Sequence, residues 1–579
     1  MKLPYQEMPD TVPTTLRTPR PRSWHLVALA AIVLLAAALR FANLSALGEA
    51  NHYYTAAVAS MLKSWHNLFF VAAEPGGSVS VDKPPVGLWL QAISAYFLGV
   101  NGLGVLLPQI LAGILTVVLL YHLVRRSFGT AAGLLAALIM AITPIVVATD
   151  RNNTMDSTLI LTLLLAAWAF IRATESARLR YLLLGAALVG IGFNIKMLQA
   201  FLPLPAFYGL YFLGSAEGLR RKVGRLALAS LLLVAISLSW ALIVDWTPAS
   251  QRPYVGSSGD NSELSLMIGY NGMQRLLGMS GGRGGVAAGG RTGGFFPQGG
   301  LGNRVGPFAG GGPRQGLGGA FSGTGSPGAL RLFIAPLSKE VSWLLPLALV
   351  SMLLLLLGTR LRWPIEPKHQ ALVLWGGWLL VSGVFFSIAN FFHEYYLSML
   401  APPLACLAAI GIVELWRLRE QRPWLGTALL LAAAGGTLRF QVTTASAFMS
   451  KVAWLPWTLA LLAAGAVLLI ASAAGRRQVG IALAGLACVV AAILVTPGIW
   501  SGLTTLNASE NQSLPSAYGG RSSGPANRGG LQVDQASLDY LGPHTLDTKY
   551  LMAVPSSMQG ADYVLATGRP VLYLGASWG

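Results

Sequence analysis

The run WHLVALAAIVLLAAALRF, residues 24–41, is the stretch from which the fold is read. At ~1.5 Å per residue, an apolar helix of this length about crosses the hydrocarbon of a bilayer. The leader before it, residues 1–23, carries Arg17, Arg20 and Arg22 and is rich in Pro and Thr. Such a leader is expected to be disordered and to stay in the cytoplasm, so the run reads as an uncleaved first anchor. Outward from it, apolar runs recur near 103–124, 131–149, 157–172, 181–199, 200–215 and 226–244, then near 341–358, 370–389, 396–415, 424–437, 454–474 and 479–496. By the rule of about twenty residues per span, this predicts an all-α polytopic membrane protein with about thirteen transmembrane helices.

Composition points the same way. Hydrophobic residues make up 54% of the 579, charged residues 11%, and the mean hydropathy is +0.59. A soluble domain is about a quarter charged, so this chain has too little charge to cover a water-facing surface. The net charge of +18 does not indicate nucleic acid, because the basic residues form short clusters between apolar runs. Cys406 and Cys488 both fall inside apolar runs and are expected to be free thiols.

Alternation from a cytoplasmic N-terminus tests the span order. It places inside Arg125 and Arg126; Arg172, Arg178 and Arg180; Arg220 to Arg225; Arg360, Arg362 and Lys368; Arg417, Arg419 and Arg422; and Arg476 and Arg477. Each group is a basic cluster, as the positive-inside rule requires. The same alternation places 44–102, 150–156, 245–340, 390–395, 438–453 and 497–579 outside. The expected organisation is a transmembrane core over 24–244, an external loop over 245–340, further transmembrane helices over 341–496 and an external tail over 497–579. Within the loop, 276–329 is Gly-dominated with scattered Arg, which reads as a flexible insertion. Within the tail, a helix at 534–542 and strand-like runs at Tyr550–Val554, Tyr563–Thr567 and Val571–Leu574 suggest a small α/β module.

Ionisable residues at membrane depth are costly and are functional candidates. Gly48-Glu49-Ala50-Asn51-His52-Tyr53-Tyr54 follows the first span, and 55–64 reads as an amphipathic helix at the interface. Glu49 is either a helix N-terminal charge or a site acid. In Val81-Asp82-Lys83-Pro84-Pro85 the paired prolines hold Lys83 extended, where its ammonium suits a phosphate and Asp82 could hold it, bind metal or meet a sugar hydroxyl. Asp150-Arg151-Asn152-Asn153-Thr154-Met155-Asp156 packs two acids and an Arg into one short turn. Asp156 there could be a helix N-cap or a functional acid. Lys196 needs an anionic partner or an aqueous cavity, and His393, within Phe392-His393-Glu394-Tyr395-Tyr396, could orient a phosphate or act as acid or base. Asp245 to Tyr254 and Tyr270-Asn271-Gly272 add polar and aromatic residues to the same face. Acids here could take a proton or bind a divalent cation, and cations could hold a phosphate leaving group. No Walker motif appears, so no nucleotide cofactor is expected.

In this order, the acid with Tyr53-Tyr54, Trp65-His66-Asn67, Val-Asp-Lys-Pro-Pro and Asp-Arg-Asn-Asn-Thr-Met-Asp resemble glycosyltransferase family 39, over roughly residues 24–415. That family includes protein O-mannosyltransferases and lipid A aminoarabinose transferases. The resemblance implies a GT-C type membrane fold, a polyprenyl-phosphate sugar donor and inverting transfer at the outer face of the cell membrane. The acceptor would be a lipid, a glycan or a protein. The family's first external loop often carries Asp-Glu; here Gly48-Glu49 stands there, so Glu49 alone matches. By resemblance Glu49 and Asp156 are catalytic acids, or tentative ligands of a divalent metal; the resemblance assigns Asp150 no role, and its place in the charged turn makes it a further catalytic candidate. Lys83, Arg151, Lys196 and His393 would bind the donor phosphate. Asp82, Tyr53, Tyr54, Tyr395 and Tyr396 would line the substrate site. The alternative is a lipid or ion transporter or flippase, which would place polar groups deep in the spans or on both faces; a structural envelope protein would make the motifs dispensable.

Overall fold

The computed structural model describes residues 23–269, 324–358, 361–475, 478–509, 513–519 and 533–574. Residues 1–22, most of the Gly-rich tract, Tyr270-Asn271-Gly272, Arg360, Arg476 and Arg477 lie outside the described residues. Helix α1 is Trp24–Phe41. It buries only Leu29, Ala36 and Arg40, a narrow seam at helical spacing, and leaves the rest of its apolar surface outward, as a lipid-facing helix does.

The expected amphipathic segment folds as α2, His52–Met61. Eight of its ten residues are buried, so it packs within the protein instead of lying at an interface. After α3 (Trp65–Phe69), α4 (Pro85–Leu98) begins at the double proline: Pro84 is extended and Pro85 takes the first helical position, where its missing N–H is harmless. The bundle continues with α5 (Gly102–Phe128), α6 (Thr130–Ala141) and α7 (Pro144–Asp150), the last two bent by 61°. Next come α8 (Asp156–Ser176), α9 (Leu179–Lys196), α10 (Leu204–Gly214), α11 (Leu219–Trp246) and α12 (Glu263–Ile268).

The second half contains α13 (Ser342–Leu357), α14 (Pro367–Ile388), α15 (Glu394–Gln421), α16 (Pro423–Ser446), α17 (Leu455–Ala474) and α18 (Val479–Leu506). Helix α15 is the central post: 94% of its apolar window is buried, and it packs against α6, α13 and α16. Cys406, free and buried, lies on it, and Cys488 is free on α18. Among the described residues ten helices are long and apolar enough to cross a membrane, eleven counting the bent pair. About thirteen were expected; the runs near 200–215 and 341–358 are helical but fall below spanning length, as α10 and α13.

In the tail, α19 (Gln535–His544) precedes β1 (Ala553–Val554), α20 (Ser557–Thr567) and β2 (Leu572–Tyr573), and the two strands pair in parallel across the helix. The expectation of a strand at Tyr563–Thr567 is therefore corrected: Ser557, Gly560, Ala561 and Val564 form one buried helical face. Gly568, at φ 65°, stops that helix in a left-handed conformation. The returning chain is stitched to the bundle. Lys339 Nζ donates to the Ala517 carbonyl (3.0 Å), Glu340 accepts the Ala517 amide (2.8 Å), and the Trp500 indole donates to the Tyr518 carbonyl (3.0 Å).

Candidate active site

The Asp150–Asp156 turn assembles the site, and each residue faces a different element. Asp150 accepts from Arg40 Nε at 2.7 Å, with both side chains out of water. Asp150 thus balances the one buried charge of α1, and its expected catalytic role finds no open carboxylate here. Arg151 donates to the carbonyls of Arg40 (2.8 Å), Asn43 (3.1 Å) and Leu39 (3.3 Å), closing the C-terminal end of α1. Its donors are spent on backbone that a helix end leaves unsatisfied, so the geometry does not offer Arg151 to a phosphate. Asn153 Oδ1 accepts the Asn51 amide (2.9 Å), and its Nδ2 donates to Thr55 Oγ1 (3.0 Å). That ties the turn to the start of α2, and Gln91, which donates to the Asn153 carbonyl (2.7 Å), ties it to α4.

Asp156 opens α8, but no side-chain cap is made there. Instead both its oxygens lie 2.6 Å from Lys196 Nζ at the end of α9. The Lys196 ammonium also sits over the rings of Tyr395 (4.5 Å to the centroid) and Tyr396 (4.0 Å). Those tyrosines are brought in by the first turn of α15, with His393 stacked on Tyr395 at 5.6 Å. Lys83 Nζ pairs with Asp82 Oδ2 at 2.6 Å, and is close enough to Lys196 for the two charges to act on each other. Tyr53 and Tyr54 close the group from α2, their rings 5.2 Å apart. Burial, with Asp82, Tyr53, Tyr396 and Asp156 around it, holds the Tyr54 hydroxyl well above the usual phenol range. The structure therefore gathers Asp82, Lys83, Asp156, Lys196, Tyr53, Tyr54, His393, Tyr395 and Tyr396 from α2, α4, α8, α9 and α15.

Glu49, three residues before α2, has a different set of neighbours, His52 and Asp562. Partial burial pushes its carboxyl above the usual carboxylate range, His52 opposes that rise, and Asp562 adds to it. His52 Nδ1 pairs with Asp562 Oδ1 on α20, so the tail reaches the first-loop acid. A cation shared by Glu49 and Asp156 is not what this arrangement provides, since Lys196 occupies both oxygens of Asp156. Among the described residues no three His, Cys, Asp or Glu side chains converge as metal ligands would.

Sequence reasoning missed three groups here. Arg40 was legible as the one Arg within the first span. Glu263 is enclosed near Asp82 and Lys83 with neither oxygen hydrogen-bonded, and burial, then Asp245 and Asp82, push its carboxyl well above the usual range. It is delivered by backbone pairing of Tyr254 with Ser78 and Ser80, and by Asp245, which accepts the Glu263 amide (2.7 Å). Asp562 had no local signal, because only folding brings it to residue 52.

A family model described as dolichyl-phosphate-mannose-protein mannosyltransferase matches residues 82–240, which hold Asp82, Lys83, Asp156 and Lys196. The chain is 39% identical over 604 residues to a Bacillus subtilis protein named putative mannosyltransferase YycA, covering 94% of this chain and 87% of that one. It is 36% identical over 618 residues to putative mannosyltransferase YkcB of the same organism, covering 95% and 84%. The fold is similar to the crystal structure of ArnT from Cupriavidus metallidurans bound to undecaprenyl phosphate, with a TM-score of 0.52 at 15% identity over 96% of this chain and 87% of that one.

Proposed function

The chain belongs to glycosyltransferase family 39, a multi-pass membrane glycosyltransferase that uses a polyprenyl-phosphate sugar, and from that premise we propose how its residues divide the work. The observation that carries the reading is the pair of lysines, Lys83 and Lys196, each held on its own carboxylate, with Lys196 also over the rings of Tyr395 and Tyr396. When a lipid phosphate enters, the two ammonium groups lie ready to take its negative charge. Tyr395 and Tyr396 keep Lys196 in place, and Tyr53 and Tyr54 face the sugar. Burial of the lysines excludes water, which strengthens these charge contacts and limits hydrolysis.

Glu49 meets the acceptor hydroxyl. Its carboxylate takes the hydroxyl proton as the acceptor oxygen bonds to the anomeric carbon. The bond from that carbon to the phosphate oxygen breaks, and its electron pair leaves with the polyprenyl phosphate. Attack opposite the leaving group inverts the anomeric centre. The motif-bearing end of the bundle faces outward and the basic clusters face the cytoplasm, which supports an external acceptor. Both the hexosyl and pentosyl classes fit this site; the names of the Bacillus relatives make a mannosyl donor the first to test.

The test is sugar release from radiolabelled polyprenyl-phosphate sugars by purified protein in nanodiscs. Glu49→Gln keeps the shape and removes the base, so turnover falls by about 10²–10⁴ while donor binding persists. Wild-type turnover fading as pH falls through a limb above the ordinary carboxylate range agrees with the raised Glu49 carboxyl. Full turnover by Glu49→Gln would move the base elsewhere.

A further inference from the structure

Helix α20 carries a single charged residue, Asp562, and α2 carries a single imidazole, His52. The two helices pack together and these side chains meet, although 510 positions separate them. The contact is neither a deep structural ion pair nor a loose surface one. His52 keeps 24% of its side-chain surface exposed and Asp562 13%, so both border the solvent-reachable side of the site, where Glu49 stands.

The module also fits closely against the loop before α4: a Cβ on Gly76 would lie 2.6 Å from the Tyr550 ring, 2.9 Å from Glu74 Oε2 and 3.1 Å from Pro570, which leaves no room for a side chain. Gly560 of α20 packs inside the module, against Tyr573 and Val554. A carboxylate on one ring nitrogen fixes the tautomer and the aim of the imidazole, leaving Nε2 turned to the other side.

We propose, on the reading of Glu49 as the acceptor-facing base, that Asp562 acts through His52 as a positioning residue, making the C-terminal module a working part of the transfer site. Asp562 fixes the imidazole, and the imidazole holds the Glu49 carboxylate toward the incoming hydroxyl. Among the described residues the other titratable groups around this junction are few: α20 and α4 contribute no charge beyond Asp562, α3 contributes only His66, Tyr573 of β2 lies near both Asp562 and Glu74, and Glu74 lies in the loop, where its oxygens accept the amides of Gly76 (2.5 Å) and Ser78 (2.6 Å).

The experiment measures kcat, acceptor KM, the pH profile and the affinity for polyprenyl phosphate, for full-length wild type, His52→Gln, Asp562→Asn and Asp562→Glu in nanodiscs. In His52→Gln and Asp562→Asn, kcat falls about 10- to 100-fold, as for loss of a partner that orients a reacting group. Polyprenyl phosphate affinity is unchanged, and Asp562→Glu recovers part of the rate. In His52→Gln the acid limb moves to higher pH, because the group opposing the rise of the Glu49 carboxyl is gone. A purely structural contact would leave that limb in place. Wild-type kcat in Asp562→Asn, or an unmoved acid limb in His52→Gln, overturns the proposal. Wild-type protein that binds polyprenyl phosphate but turns over no lipid-linked sugar would instead overturn the reading of the site as a transferase, and this proposal with it.

Discussion

Lys83 and Lys196 are both nearly closed from solvent and each rests on an acid, yet the two pairs are expected to respond differently to mutation. Lys83 is attached to an extended Pro-flanked segment, and Asp82 is its immediate neighbour, so the pair can open toward a ligand at little structural cost. Lys83→Met is expected to reduce donor turnover by about 10²–10³, as when one charge donor to a leaving group is removed, with a smaller loss of thermal stability than the Asp156 variant below because no second helix hangs on the pair. Asp156 and Lys196 instead lock α8 to α9. Asp156→Asn leaves an ammonium buried without its counter-charge, expected to cost about 3–5 kcal/mol of stability. Adding Lys196→Met should return much of that stability without returning activity. Thermal unfolding of the single and double variants checks this; equal stability would show that the pair is not structural.

At the scale of elements, one turn organises four helices. Asp150 and Arg151 bind the end of α1, Asn153 binds the start of α2 and Gln91 of α4, and Asp156 binds α9. The sequence marked this turn as a site because it is dense in charge. The structure separates its members into three that hold the scaffold and one that faces the candidate site. The distinction is invisible in sequence because an Arg that caps carbonyls and an Arg that grips phosphate have the same composition and neighbours. Arg151→Ala is expected to leave several α1 carbonyls without donors, costing about 1–3 kcal/mol per buried unsatisfied group, while the affinity for polyprenyl phosphate stays at the wild-type value. Weakened phosphate binding in a variant of wild-type stability would restore Arg151 to the donor site. The tail shows the converse error: Tyr563–Thr567 resembles a strand by composition, and only the Gly560, Ala561 and Val564 face, pressed against its neighbours, makes it a helix.

At the scale of the whole molecule, the bundle collects its working residues at one end, and the chain returns there twice, through α15 and through the tail. The orientation proposed from the basic clusters can be read by cysteine labelling in cells, with Cys406 and Cys488 replaced. Trp65→Cys, at a position 85% exposed, should react with an impermeant maleimide from outside. Arg180→Cys, in the first turn of α9, should react only after the membrane is opened. The reverse pattern would invert the protein and place transfer on the cytoplasmic side.

The sequence alone determined that this is a helical membrane protein of the family it resembles, and marked the motifs proposed to carry its chemistry. Those properties follow from local quantities: runs of apolar residues, clusters of Arg and Lys, and short stretches where charge is too dense for a turn. Span number was less legible, because α10 and α13 are apolar enough to count but too short to cross by length. Partnership was decided by tertiary structure alone. That Asp150 belongs to Arg40, Asp156 to Lys196 and His52 to Asp562 depends on which helix faces which, and burial makes the first two pairings obligatory, since a charge withdrawn from water must find its counter-charge.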